Sequence, residues 1–318
     1  MKDLIAIIAG EPESINSEII AKAWKKKKIK NIFIIGNFSI LKKQIKKLGI
    51  KIPLIKIQDL KDVKKHKKLC ILDVPLKFRS VFNINRSQVK NYIFKSFDIA
   101  HKLAIKKEVK GFINAPVDKK IFNSKYPGVT EYLSYKNNTK NKEIMFIHNK
   151  KISVVPLTTH IKIKNVTNKI SFNLIKTKII LLNNSYFNLF KIKPKIAILG
   201  LNPHNSENEH NSIENKIIRP AITKLKKLKI NINGPFPADT AFNKNNILAY
   251  DVLVGMYHDQ ILAPFKALYG FDAINITLGL KYIRISPDHG TAKDIIGLNM
   301  ANPESLINAI NFLNKVND

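Results

Sequence analysis

Long apolar runs are missing from this 318-residue chain. No stretch approaches the roughly 20 residues needed to cross a bilayer, so no membrane partner is expected. The opening, Met1 to Gly10, carries Asp3 and too short an apolar run for a secretory signal, which predicts a cytoplasmic protein. Cysteine is almost absent. The single Cys70 excludes an internal disulfide and suits a reducing compartment, and its place in the apolar run Leu69 to Leu72 reads as a small core residue. Arginine is scarce too: only Arg79, Arg86, Arg219 and Arg284, the other 51 basic residues being lysine. Acidic residues number only 23, which leaves a formal net charge of +32. A charge of that size invites a nucleic-acid reading. The lysines are nevertheless dispersed, short runs such as Lys25 to Lys28 apart, and accompany abundant Ile and Asn, as drift toward A-rich codons produces. No nucleic-acid partner is expected. There is also no G-x-G-x-x-G after a strand and no G-x-x-x-x-G-K-[ST], so a nucleotide that binds here must be held in another way.

What is present is an alternation of short β-branched runs with longer amphipathic ones, the pattern of an α/β protein with a parallel or mixed sheet flanked by helices. A 45% hydrophobic content over this length supplies cores for two domains. Strands are expected at residues 4–9, 31–36, 111–115, 152–157, 195–199, 251–256 and 273–278. Helices are expected at 17–27, 39–48 and 87–107, the last capped by Ser87 with Val89, Ile93, Phe97, Ala100 and Ala104 along one face. A final helix is capped by Asn302, takes Pro303 in its first turn and buries Leu306, Ile307, Ile310, Leu313 and Val316. The Lys/Asn-rich stretch 136–142 reads as an exposed connection.

Three segments share one design, an apolar strand followed at once by a polar turn with a histidine. They end in Thr158-Thr159-His160, Asn202-Pro203-His204 and Tyr257-His258-Asp259. In an open α/β sheet the carboxyl ends of parallel strands face one crevice, so three such histidines can converge. Three imidazoles leave an open coordination position, the arrangement of a catalytic metal site. Taken singly, a histidine after a strand is usually a turn residue bonded to backbone. Of the others, His66, His101 and His148 are expected at the surface, and His210 stays ambiguous.

A second cluster holds Lys266, Asn275 and Arg284. In a chain with so little arginine, one inside the apolar strand Tyr282-Ile283-Arg284-Ile285 calls for an anion. A substrate phosphate or carboxylate would suit its fork, with Lys266 as a second charge and Asn275 as a neutral donor; a structural carboxylate such as Asp259 or Asp288 is the alternative.

Five blocks in order now carry a resemblance: Leu201-Asn202-Pro203-His204, Gly234-Pro235-Phe236-Pro237-Ala238-Asp239-Thr240, Tyr257-His258-Asp259-Gln260, Asn275-Ile276-Thr277-Leu278-Gly279-Leu280 and Asp288-His289-Gly290-Thr291-Ala292. Weaker matches at Gly10-Glu11-Pro12, Ala115-Pro116-Val117 and Thr158-Thr159-His160 extend it over essentially the whole chain. The sequence resembles the 4-hydroxythreonine-4-phosphate dehydrogenases, whose fold is similar to that of the isocitrate and isopropylmalate dehydrogenases. The resemblance implies one α/β domain from both ends of the chain, residues 1–127 and 275–318, and a second from 128–274. It implies a homodimer with shared active sites, in which His160, His204 and His258 hold a divalent metal (zinc, magnesium or cobalt) between subunits. Thr130, Lys266, Asn275 and Arg284 would contact the substrate, and Asp288, His289, Gly290, Thr291 and Ala292 would seat the adenosine of NAD, or of NADP in its place. Asp239, Asp259 and Lys266 are the implied candidates for proton transfer or support of the metal ligands.

The implied reaction oxidises 4-phosphohydroxy-L-threonine at its C3 hydroxyl, with decarboxylation to 3-amino-2-oxopropyl phosphate, in pyridoxal 5'-phosphate synthesis. Two departures stand out. The family's opening Gly-Glu/Asp-Pro-Ala-Gly-Ile-Gly-Pro is here Gly10-Glu11-Pro12-Glu13-Ser14-Ile15-Asn16-Ser17, two glycines short. Its Gly-His-Thr-Glu is Gly128-Val129-Thr130-Glu131, with valine for a substrate-facing histidine. A dehydrogenase for another phosphorylated hydroxy acid and a three-histidine metal-dependent hydrolase are the rival enzymes; bound NAD separates the second from the first.

Overall fold

The structure is a computed structural model that describes residues 3–26, 30–122, 126, 128–139, 142–270 and 272–316, the side chain of Asn208 excepted. Lys27 and Lys28 of the lysine run, and Lys140 and Asn141 of the Lys/Asn stretch, lie outside the described residues.

In chain order the first elements are β1 (Ile5–Ile8), α1 (Asn16–Lys25), β2 (Ile32–Gly36), α2 (Phe38–Lys47), β3 (Leu54–Ile57), β4 (Leu69–Asp73), α3 (Arg86–Ile105), β5 (Gly111–Asn114) and α4 (Val129–Lys136). The middle of the chain forms β6 (Ile144–His148), β7 (Ser153–Pro156), α5 (Val166–Lys169), α6 (Phe172–Phe190), β8 (Ile196–Leu199), α7 (Arg219–Lys227), β9 (Ile232–Phe236), α8 (Lys244–Ala249), β10 (Val252–Gly255), α9 (His258–Tyr269) and β11 (Ile274–Leu278). The chain ends with β12 (Ile283–Pro287) and α10 (Glu304–Lys315).

These elements form two compact units, residues 1–133 with 281–318, and residues 134–280. Sequence reading sets both crossings slightly earlier, after residues 127 and 274. The first unit carries strands in the order β3-β4-β2-β1-β5-β12, every neighbouring pair parallel. All its strand ends therefore point the same way, which puts Glu11, Asp118 and the segment after Pro287 along one edge. The second unit has the order β11-β6-β7-β10-β8-β9. There β6 runs antiparallel to both β11 and β7, while β7, β10, β8 and β9 are mutually parallel.

Burial explains why these runs became strands. β1, β5, β7, β8 and β10 are buried at every position, so they read as continuous apolar segments rather than alternating ones. The core of the second unit gathers Ile147, Val154, Leu199, Leu253, Ile261 and Phe265. α10 buries its expected stripe from Leu306 to Val316, each large aliphatic contributing about 1.5–3 kcal/mol relative to exposure.

Three local readings are corrected. The cap of α3 is Asn85, whose Oδ1 accepts from Ser87 N at 2.9 Å, so Ser87 lies inside the helix. His148 is not a surface residue: at the end of β6 its ring stacks on Phe146 at 5.9 Å, and its Nδ1 lies 2.9 Å from Ser153 Oγ. Burial pushes this imidazole down to about 4. His101 is half-buried, with Nδ1 2.9 Å from the Tyr282 hydroxyl. Lysine neighbours in sequence misled both readings, because helix and strand geometry turns adjacent residues to different faces.

Candidate active site

In the second unit, the turns after β7 and β10 are tied together. Thr158 donates both its N–H and its hydroxyl to Met256 O, at 3.1 and 2.7 Å, and Leu157 N donates to Gly255 O at 2.8 Å. His160 and His258, one on each turn, are thereby brought to a ring separation of 6.0 Å. His258 opens α9, and its Nδ1 lies 2.7 Å from Asp259 Oδ1. That contact fixes the ring and leaves Nε2 as the nitrogen for a metal. His160 is exposed and His258 partly so.

His204 sits on a different kind of turn. After β8, residues His204 to Glu207 all adopt left-handed backbone, with φ between 46 and 57°, a conformation that costs non-glycine residues about 1–2 kcal/mol each. The buried carboxylate of Glu214 holds this turn in place. It accepts from Leu201 N at 2.9 Å, Asn202 N at 2.8 Å and Ser206 Oγ at 3.1 Å. Burial pushes the Glu214 carboxyl up, but the bonds from Asn202 and Ser206 outweigh it and hold the group below its ordinary range. Gln260 links this turn to the β10 turn, donating to Gly200 O at 2.7 Å and accepting from Met256 N at 2.6 Å.

Among the described residues of one chain, no group of three His, Cys, Asp or Glu is placed to hold a metal. The expected convergence of three histidines is thus, within a chain, a pair. The donor chemistry of that pair, two imidazoles with one oriented by a carboxylate, fits a divalent metal that takes its remaining ligands from elsewhere. Asp239 is exposed in the turn after β9, where its Oδ1 accepts from the adjacent Thr240 N at 2.9 Å. Lys266 is exposed on α9, two turns beyond His258, and Asn275 is half-buried on β11.

In the first unit, Arg284 is 3% exposed on β12. Its Nε donates to Asn114 Oδ1 at 2.6 Å, and its Nη1 donates to Thr130 Oγ1 at 3.4 Å. Burial pushes the guanidinium down to about 10, against the charges of Tyr282 and Glu131. The oxygens that it meets at these two atoms are neutral. Val129 and Thr130 begin α4.

Along the edge of the same unit, Asp288 N donates to Ser305 Oγ at 3.0 Å and Thr291 O accepts from Ile15 N at 3.2 Å. His289 Nδ1 lies 3.1 Å from Gly290 O, and burial holds its imidazole below the ordinary value. Ala292 adopts φ 44°. Nearby, burial pushes the Glu11 carboxyl up to about 7.

The altered turn at residues 10–17 closes with side chains where the family has glycines. Ser14 Oγ donates to Glu11 O at 2.5 Å and accepts from Asn16 N at 3.1 Å, while Asn16 Nδ2 donates to Pro116 O at 2.8 Å. Only Gly10 in this turn takes a positive φ, 72°.

Sequence reading missed Asn114, Glu214 and Gln260. Asn114 carried the same signal as Arg284, a polar residue at the end of an apolar strand. Glu214 and Gln260 act through contacts with other turns, which no local pattern announces.

Residues 28–313 match the profile of the family described as "Pyridoxal phosphate biosynthetic protein PdxA". The chain belongs to that family. It is 39% identical over 315 residues to the 4-hydroxythreonine-4-phosphate dehydrogenase of Sulfurihydrogenibium sp. (strain YO3AOP1), covering 96% of each chain. Among solved structures it is similar to the 4-hydroxythreonine-4-phosphate dehydrogenase of Klebsiella pneumoniae, with a TM-score of 0.86, 28% identity and 98% of each chain covered. A β-decarboxylating dehydrogenase of Thermococcus kodakarensis shares the fold alone, with a TM-score of 0.51 and 10% identity over 98% of this chain and 82% of the other. The α/β fold expected from the resemblance is therefore the fold of the chain.

Proposed function

We propose that this chain is an NAD-dependent 4-hydroxythreonine-4-phosphate dehydrogenase, which oxidises 4-phosphohydroxy-L-threonine at C3 with loss of carbon dioxide to give 3-amino-2-oxopropyl phosphate. Membership of the PdxA family over residues 28–313 supports the activity, and the observation that carries the site is the His160–His258 pair with Asp259 behind it.

His160 and His258 would hold a divalent metal, with His204 supplied by a second copy of the chain. Such a metal, when bound, polarises the substrate hydroxyl and stabilises charge on the same oxygen during decarboxylation. Asp259 orients the His258 ring. Arg284, positioned by Asn114 and Thr130, attracts an anionic group of the substrate, as do Lys266 by its charge and Asn275 by its amide. Lys266 is the proton-transfer candidate of this set; Asp239 is a weaker one, since one of its carboxylate oxygens already accepts from the adjacent Thr240 N. Asp288, His289, Gly290, Thr291 and Ala292 would seat the adenosine of NAD, which would supply the hydride acceptor.

One observation favours a second substrate of the same class: Val129 stands where the family has a histidine, so the contacts available to the substrate are altered. Formation of NADH from 4-phosphohydroxy-L-threonine, with and without a chelator, tests the reading. Turnover that the chelator abolishes supports it, whereas phosphate release without NADH would favour a metal-dependent hydrolase.

A further inference from the structure

The segment after β12 contains no long element of its own. Between Thr291 and Ala301 it turns through left-handed backbone at Ala292 (φ 44°), Gly297 (φ 82°) and Asn299 (φ 57°). It exposes Leu298 by 58% and Met300 by 69%. Such a segment buries too little to fix its own conformation, and something else must hold it.

α1 and the residue that precedes it do so at two points. Near the start, Ile15 N donates to Thr291 O at 3.2 Å. At the far end, Glu18 and Lys22 hold the Asn299 to Ala301 backbone. Lys22 Nζ donates to Asn299 O at 2.8 Å, to Ala301 O at 3.0 Å and to Glu18 Oε1 at 2.8 Å. An ammonium has three protons, and all three are used. Glu18 Oε1 also accepts from Ala301 N at 2.6 Å. The Glu18 side chain is 1% exposed and that of Lys22 25%, so this is not a solvated surface pair. One helical turn separates the two residues, which places both on the face of α1 that meets the segment.

We propose that Glu18 and Lys22 are positioning residues for the dinucleotide: by clamping residues 299–301 they set the conformation in which residues 288–292 seat the adenosine. The inference rests on the cofactor reading above. Neither residue touches the reacting atoms, so the clamp acts on cofactor affinity and leaves the chemical step alone.

The test compares the full-length wild-type protein with Lys22→Met, which keeps the aliphatic stem and removes the charge, and with Lys22→Arg, which keeps a cation. NAD affinity is measured by titration, steady-state constants by NADH formation, and amide exchange across residues 295–303 by mass spectrometry. Lys22→Met is expected to weaken NAD binding at least tenfold and to speed exchange at residues 299–301. Its kcat at saturating NAD and its KM for the substrate should stay within twofold of wild type. Lys22→Arg should recover most of the loss. A merely structural role would lower thermal stability without this split. Wild-type protein that binds NAD alongside a Lys22→Met variant of equal NAD affinity would overturn the inference. Wild-type protein that fails to bind NAD overturns the cofactor reading itself, and the inference with it.

Discussion

Nε of Arg284 lies 2.6 Å from Oδ1 of Asn114, both residues being almost fully buried on neighbouring strands. The Asn114 amide is neutral, so it orients the guanidinium without adding a counter-charge, whereas a carboxylate at that position would add one. Asn114→Asp is therefore expected to keep the fold and raise the substrate KM by tenfold or more, with NAD binding unchanged. Arg284→Ala should weaken substrate binding further and also spare NAD. Equal losses for both ligands in either variant would count against the anion role.

The imidazole pair makes a separate prediction. His258→Ala and His160→Ala should each lose bound metal and turnover while melting close to wild type, since neither ring is fully buried. Asp259→Asn should weaken metal affinity by about 10–100-fold, the usual effect of removing a partner that orients a ligand. Metal analysis of the purified variants checks both expectations, and full occupancy in either alanine variant would refute the assignment.

Val129 offers a test of the proposed substrate contact at the start of α4. Val129→His should lower the substrate KM by about tenfold, if one charge-assisted hydrogen bond of about 1.5 kcal/mol is restored. The KM for NAD should not move. An unchanged substrate KM in a folded, metal-loaded variant would mean that the first residue of α4 does not face the substrate.

His148 makes stability depend on acid. Its folded value of about 4 lies below the ordinary imidazole value of 6.5, so between those limits the unfolded chain binds a proton that the folded chain refuses. The folded state should accordingly lose up to about 3 kcal/mol as pH falls from 6.5 to 4, with no contribution above that window. Denaturant unfolding across this range, compared with His148→Gln, measures the effect. Identical pH slopes in the two proteins would show that the ring is not the cause.

The alternation of strands and helices was legible because burying a strand on both faces demands a continuous apolar run, as at residues 5–8 and 252–255. The same rule made Arg284 conspicuous, since a cation inside such a run must have a reason to be there. β6 went unread because its apolar residues end in His148 and a lysine-rich loop, which hid a buried histidine behind charged neighbours. The cap of α3 was misplaced by two residues because Asn85 and Ser87 are both good caps, and only the backbone geometry at Asn85 chooses between them.

The sequence by itself determined that the chain is an α/β protein with histidines at three strand ends and a scarce arginine within an apolar strand. Those features depend on neighbours only a few residues away. Only the tertiary structure decided which of them meet. His160 and His258 pair because β7 lies beside β10, whereas His204 is held on a left-handed turn by Glu214. Arg284 meets Asn114 because β12 lies beside β5. Strand order and the closure of turns are set by contacts between segments far apart in the chain, and no local residue pattern records them.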